Sequence, residues 1–190
     1  MAPVWQPRAP VLRRRGLLGG LGLLGLGGCG FQPLYAPVTE AGDAGSTLRE
    51  ELAAVRVANI PERSGQLLRR TLQRRFEDSA PGTPARYSLQ VGLSTAYEVL
   101  GYRRDGTPTR IRAITSGSWT LTTLSVPPRP IAATAIPYRT LDSFNIPDLQ
   151  FFAADTARDA MEQRMVDDLA EEIYRRVAIE LRGRREARPA

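Results

Sequence analysis

Hydrophobic positions along the chain change their period several times, and each change marks an element. Residues 52–60, LAAVRVANI, put Ala53, Val55 and Val57 on one alternating face, which predicts a first strand ending at Pro61. From residue 62 to about 78 the period lengthens: Leu68, Leu72 and Phe76 recur every four residues, with Leu67 beside them. Arg69, Arg70, Arg74 and Arg75 point elsewhere, so this stretch predicts an amphipathic helix with a basic outer face. The sequence SAPGTP at 79–84 stops it. Tyr87, Leu89, Val91 and Leu93 then alternate with Ser88, Gln90 and Gly92, predicting a second strand over 85–100 with one buried face.

Residues 101–108, GYRRDGTP, predict a turn with Asp105-Gly106 at its tip. A third strand follows over 109–123, carrying Ile111, Ala113, Trp119 and Leu121 on one side. The VPPRP segment at 126–130 is a proline-stiffened connection to a fourth strand over 131–144, where Pro137 predicts an edge position or a bulge. The last element is a long helix starting between Asp148 and Asp155 and running to about Arg182. Met161, Met165, Leu169, Ile173, Val177 and Leu181 mark its apolar face, and Arg164–Asp168, Glu171–Arg175 and Glu172–Arg176 have the spacing of i,i+4 ion pairs. The β-α-β-β-β-α order predicts an α+β two-layer sandwich, a four-stranded mostly antiparallel mixed sheet covered by two helices.

The N-terminal region has a different character. Arg13, Arg14 and Arg15, with Arg8 upstream, precede an uncharged run of Leu and Gly from Gly16 to Gly28. A membrane-spanning helix needs about 20 apolar residues, and this run is shorter. Its length and flanks match the core of a secretory signal. Cys29, the single cysteine of the chain, follows Leu26-Gly27-Gly28, a pattern resembling the lipobox at which bacterial lipoproteins are acylated and cleaved. An incidental thiol after an ordinary signal, or a buried thiol in a cytosolic protein, is the plainer alternative. A free thiol is poorly suited to an oxidising compartment, whereas a thioether-linked one is consumed. Gly30, where inner-membrane retention favours Asp, points to outer-membrane sorting. Arg14-Arg15-Gly16-Leu17-Leu18 leaves twin-arginine export open beside the general route. The expected organisation is a cleaved signal at 1–28, an acylated N-terminus and Pro/Gly/Ala-rich tether at 29–49, one α+β domain at 50–183, and a frayed tail at 184–190.

Composition narrows the chemistry. The net charge of +6 falls to about +2 once the four signal arginines leave, which is a weak footprint for nucleic acid. Histidine is absent from the 190 residues, which removes Ser/His/Asp and Cys/His catalysis and most zinc sites. Asp167, Asp168, Glu171 and Glu172 form the densest carboxylate cluster, but arginines one turn away make it a solvated helix face. The expectation is a non-enzyme with no cofactor and no metal. Around the β-turn, Arg103, Arg104, Arg110 and Arg112 lie near Tyr97, Tyr102 and Trp119 in sequence; guanidinium forks suit phosphates, so these arginines are candidates for an anionic glycolipid. The plainer alternative is a soluble hairpin with charged ends. Arg69, Arg70, Arg74 and Arg75 are a second basic candidate, read more simply as a solvated face. The chain has no lysine, so any phosphate contact falls to arginine.

Several short segments, in order along the chain, resemble one known family. They are Cys29-Gly30-Phe31-Gln32-Pro33-Leu34-Tyr35 after the lipobox, Ile60-Pro61-Glu62-Arg63 running into Gly65-Gln66-Leu67-Leu68, and Ser143-Phe144-Asn145 before a helix containing Ala157-Arg158-Asp159-Ala160. Together with the element order they resemble the LPS-assembly lipoproteins of the LptE family, particularly the alphaproteobacterial branch. The resemblance implies an outer-membrane lipoprotein facing the periplasm, attached through Cys29. It would plug the LptD β-barrel in a one-to-one complex, assist the barrel's assembly, and contact lipopolysaccharide. A free periplasm-facing lipid carrier, holding its ligand in an apolar cavity of its own, is the alternative.

Overall fold

The computed structural model describes residues 44–187. Its elements in chain order are α1 (Ala44–Ala53), β1 (Val55–Val57), α2 (Arg63–Glu77), β2 (Tyr87–Tyr102), β3 (Pro108–Thr123), β4 (Pro130–Ala133), β5 (Tyr138–Asn145) and α3 (Phe151–Glu186). The signal, Cys29 and most of the expected tether lie outside the described residues.

β2 and β3 form a long antiparallel ribbon, and β1 joins β2 in parallel at Val55↔Tyr87 to Val57↔Leu89. The far edge of β3 is shared: β5 pairs with Arg110–Gly117 and β4 with Thr120–Thr122. The expected single fourth strand is therefore two strands lying end to end along one edge. The break falls at residues 134–137, where Pro137 has no N–H to continue the ladder. The sheet is mixed and mostly antiparallel, with helices on one face, as the periodicity predicts.

Two boundaries differ from expectation. Ala44–Ala53 is helical, so the first strand shrinks to Val55–Val57; Ala53 and Leu52 are buried from the helix, whose Leu, Arg and Glu residues favour it over strand. At the other end α3 continues through Arg184 and Arg185 to Glu186, beyond the expected fray at 184, with cations in the last turn that complement the helix dipole.

The core forms where α2 and α3 cover one face of the sheet. Leu68, Leu72 and Phe76 of α2 and the stripe Met161, Met165, Leu169, Ile173, Val177 and Leu181 of α3 are all buried, together with Leu89, Trp119 and Leu121 of the sheet. Phe76 lies against Tyr174 with ring centroids 5.2 Å apart, which locks α2 to α3. Gly117 brings β3 close to α3: a Cβ there would stand 3.0 Å from Leu169 Cδ2. Buried threonine hydroxyls are paired, Thr95 with Thr115 at 3.0 Å and Thr140 donating to Asp168 at 3.3 Å.

The short edge strand β1 is closed by side chains. Gln73 of α2 accepts from the Val57 N–H at 2.8 Å, and Arg69 donates to the Val57 carbonyl at 3.3 Å. Arg56 donates to the carbonyls of Ala53 (2.7 Å) and Thr83 (2.6 Å), tying the α1–β1 junction to the loop before β2. Such edge blunting prevents strand addition. Beyond Leu89, by contrast, the outer edge of β2 has no strand partner among the described residues.

Phe76→Ala is expected to cost about 3–5 kcal/mol, the range for a truncated buried aromatic. Arg74→Ala, at an exposed position whose side chain has no partner among the described residues, should stay within about 0.5 kcal/mol. Urea unfolding of the two variants beside the parent checks both values.

Candidate functional site

α3 and the β2–β3 ribbon both outrun the core. The buried stripe of α3 begins only at Met161, leaving its first ten residues, Phe151 to Ala160, without a buried position, while β2 is exposed on both faces from Ser94 to Leu100. β5 ends beside Arg110, so the β2–β3 turn and the start of α3 lie at the same end of the sheet. This projecting end carries the four arginines singled out from the sequence.

The turn is built by short-range bonds. The Arg103 N–H donates to the Thr107 carbonyl (2.8 Å) and the Gly106 N–H to the Arg103 carbonyl (3.0 Å), with Gly106 at φ 83°, a conformation glycine adopts freely. Asp105 Oδ1 accepts from the Thr107 N–H (3.0 Å) and hydroxyl (2.7 Å). Those two bonds, the backbone one first, hold the Asp105 carboxyl below its ordinary range.

The four arginines do four different things. Arg103 reaches across with Nη2 to the Ile146 carbonyl (2.7 Å) and with Nη1 to Thr107 Oγ1 (3.2 Å), clamping the turn to the β5–α3 connection. Arg104 is exposed at the tip, without a hydrogen bond or ion pair among the described residues. Arg110 donates through Nε and Nη2 to Ser143 Oγ, and Arg112 faces Glu98 at 3.5 Å. By strand alternation Arg110 and Arg112 lie on the sheet face opposite the helices. They therefore form a row on the open face, with Arg104 beyond it.

The aromatic neighbours expected from sequence separate. Trp119 is 5% exposed, in the core under the helices. Tyr97, on the helix side with the Arg158 guanidinium 5.9 Å from its ring centre, stays half-exposed, and Tyr102 is exposed beside the turn. The projecting end instead carries residues that periodicity did not single out: Phe151 at 76% and Phe152 at 90% exposure, with Leu149 before them. Leu149 has φ 55°, a left-handed conformation that costs a side-chain-bearing residue about 1 kcal/mol. The available signal was a pair of adjacent aromatics ahead of the first residue of the i+4 stripe.

The other charged candidates are largely occupied within the fold. Arg69 and Arg70 donate to backbone carbonyls, and Arg75 pairs with Glu171. Arg164 pairs with Asp142 of β5 at 2.7 Å, not with Asp168, and Arg175 makes its close contact with Glu172 at 2.6 Å while the expected Glu171 acts on it through charge. The sheet lying under α3 supplies Asp142, a partner invisible to helix spacing. Glu172 also accepts from Arg176, as the spacing predicts. Burial pushes its carboxyl up, but the hydrogen bonds and charges of Arg175 and Arg176 outweigh that and hold it below the usual range. Among the described residues no three acidic, Cys or His side chains are grouped as metal ligands, and no helix is long and apolar enough to cross a membrane.

Comparison with known proteins agrees with this architecture. The sequence model of the LptE family, described as lipopolysaccharide-assembly, matches residues 48–177. A solved lipoprotein structure from Caulobacter crescentus superposes with a TM-score of 0.58 at 22% identity, covering 76% of this chain and 99% of that one. The rare lipoprotein B of Shewanella oneidensis (TM-score 0.45, 12% identity, 65% and 91% covered) is a more distant likeness. A minor lipoprotein of Acinetobacter baumannii is similarly distant (TM-score 0.45, 14% identity, 66% and 88% covered). No curated protein matches the sequence significantly.

The Asp105 turn gives a pH prediction. A carboxyl lowered in the folded state stabilises its turn above the unfolded value and loses that contribution as pH falls through the folded value. The Thr107 amide shift should therefore titrate with a midpoint below the ordinary 3.8 of an aspartate. A midpoint at or above 3.8 in an NMR titration would contradict the bonding described.

Proposed function

Because the chain belongs to the LptE family of lipopolysaccharide-assembly proteins, we propose that it is the non-catalytic lipoprotein subunit of a lipopolysaccharide export complex. On this reading it is acylated at Cys29, held at the periplasmic side of the outer membrane, and seated as a plug in an LptD-type β-barrel. The observation that carries the contact with lipopolysaccharide is the projecting hairpin end, where an unpaired guanidinium (Arg104) shares one end of the fold with exposed Leu149, Phe151, Phe152 and Tyr102.

Phosphate groups and acyl chains are the two chemistries of a lipopolysaccharide's membrane end, and this end of the protein offers a partner for each. Arg110 and Arg112 extend the cationic row along the open sheet face; Arg103 keeps the turn in position. Leu149, exposed in a left-handed conformation, is costly in two ways for the isolated fold, which supports a role outside it. The open sheet face supports the plug reading. Its small polar row, Gln90, Ser94, Ser116, Ser118 and Thr120, is compatible with the polar interior of an outer-membrane barrel. A carrier enclosing lipid between sheet and helix is disfavoured, because the space between β2, β3 and α3 is about 30 Å³, far below the roughly 300–1,000 Å³ of a ligand pocket.

Photocrosslinking in cells tests the contact. A photoreactive residue at Phe152 or Tyr102 is expected to capture lipopolysaccharide, and Arg104→Glu with Arg110→Glu should reduce the yield about tenfold or more, equivalent to at least about 1.4 kcal/mol. Equal capture from Gln90, far from the turn, or no effect of the charge reversals, would contradict it.

A further inference from the structure

The end of the molecule opposite the hairpin holds a cavity of about 680 Å³ between the β3–β4 connection and the last turns of α3. Tyr87, Ile131 and Leu181 line it with apolar surface, and Arg129, Arg184 and Arg185 stand at it, against one acid, Glu51 of α1. Arg129 and Arg184 have no side-chain hydrogen bond or ion pair among the described residues. Cations in the last turn of α3 are explained by the helix dipole; Arg129, which comes from the loop, is not.

The loop itself presents apolar surface outward. Val126 is 97% exposed and Leu124 50%. The loop is held by its own bonds: Thr123 exchanges backbone and hydroxyl contacts with Arg129 at 2.9 Å, and Ser125 donates to the Pro127 carbonyl at 3.1 Å. Val126 is thus held in solvent by a built turn carrying two prolines. Exposed aliphatic residues flanked by arginines around a concave site match the boundary between acyl chains and phosphate headgroups.

We infer that this cavity binds the headgroup of an anionic phospholipid in the leaflet where the protein is anchored, Arg129 and Arg184 meeting the phosphate and Val126 entering the acyl boundary. The direction of the cavity rests on the anchored reading above. α1 lines it through Glu51 and is the first described element after Cys29 in the sequence. The residues between Cys29 and Ala44, fully extended, reach at most about 50 Å, so the anchor and this end can meet one membrane surface together. The glycolipid site at the hairpin and the phospholipid site here would then lie at opposite ends of the ribbon.

The test is native mass spectrometry of the full protein, purified from membranes in nonionic detergent and titrated with phosphatidylglycerol, phosphatidylcholine or inorganic phosphate. The expected result is one phosphatidylglycerol per chain, bound at least tenfold more weakly by Arg129→Gln/Arg184→Gln at unchanged melting temperature. Val126→Ser, at a side chain outside the core, should weaken binding several-fold and serves if the double variant unfolds. Phosphatidylcholine binding as tightly, or phosphatidylglycerol binding undiminished in the variants, would overturn the inference. Phosphate matching the lipid would assign a free-anion site and overturn it too. The mass of the acylated Cys29 peptide and barrel co-purification of the double variant, both expected to be unchanged, are read separately. Failure of the anchored-plug reading is thereby distinguished from failure of the cavity assignment.

Discussion

The seating of the α3 stripe on one face of the β2–β3 ribbon is the contact on which the rest of the structure depends. Gly117 eases it, since a Cβ there would stand 3.0 Å from Leu169 Cδ2 and force that side chain to shift. Burying that stripe closes the core with α2 and leaves the opposite sheet face without a covering layer among the described residues. The stripe also starts late, at Met161, so a long helix and a long hairpin continue past the core together. Projection of the hairpin end follows directly from where the apolar stripe begins.

That geometry separates the protein's stabilising and interacting surfaces. Charges alongside the core are mostly satisfied internally: Arg56 on carbonyls, Arg75 on Glu171, Arg164 on Asp142, and Arg176 on Glu172. At each end an arginine without a side-chain partner among the described residues stands with exposed large apolar side chains, Arg104 with Phe151 and Phe152 at one, Arg129 with Val126 at the other. On the proposed reading, these two amphipathic tips are the surfaces that meet lipid.

Local periodicity carried most of the architecture. The four-residue spacing of Leu68, Leu72 and Phe76, and of Met161 through Leu181, placed both covering helices, and the alternation around Leu89 and Val91 placed the ribbon. What local pattern could not register was competition between elements. Pro137 signalled an edge, yet whether the edge would bulge or break depended on how far β3 extends beside it. The partner of Arg164 lay on a strand, and Trp119 belonged to the core although near the arginines in sequence. At the site, the arginines were legible as charge, but Arg103's engagement with Ile146 and the exposure of Phe151 and Phe152 arise only when the loop closes.

On the proposed reading, this domain works seated in a barrel. The most direct test is purification of a tagged copy from detergent-solubilised outer membranes, with stoichiometry read from the eluted complex. A large β-barrel retained at one-to-one ratio through size exclusion is the expected result. A correctly acylated, folded monomer free of any barrel would contradict the claim.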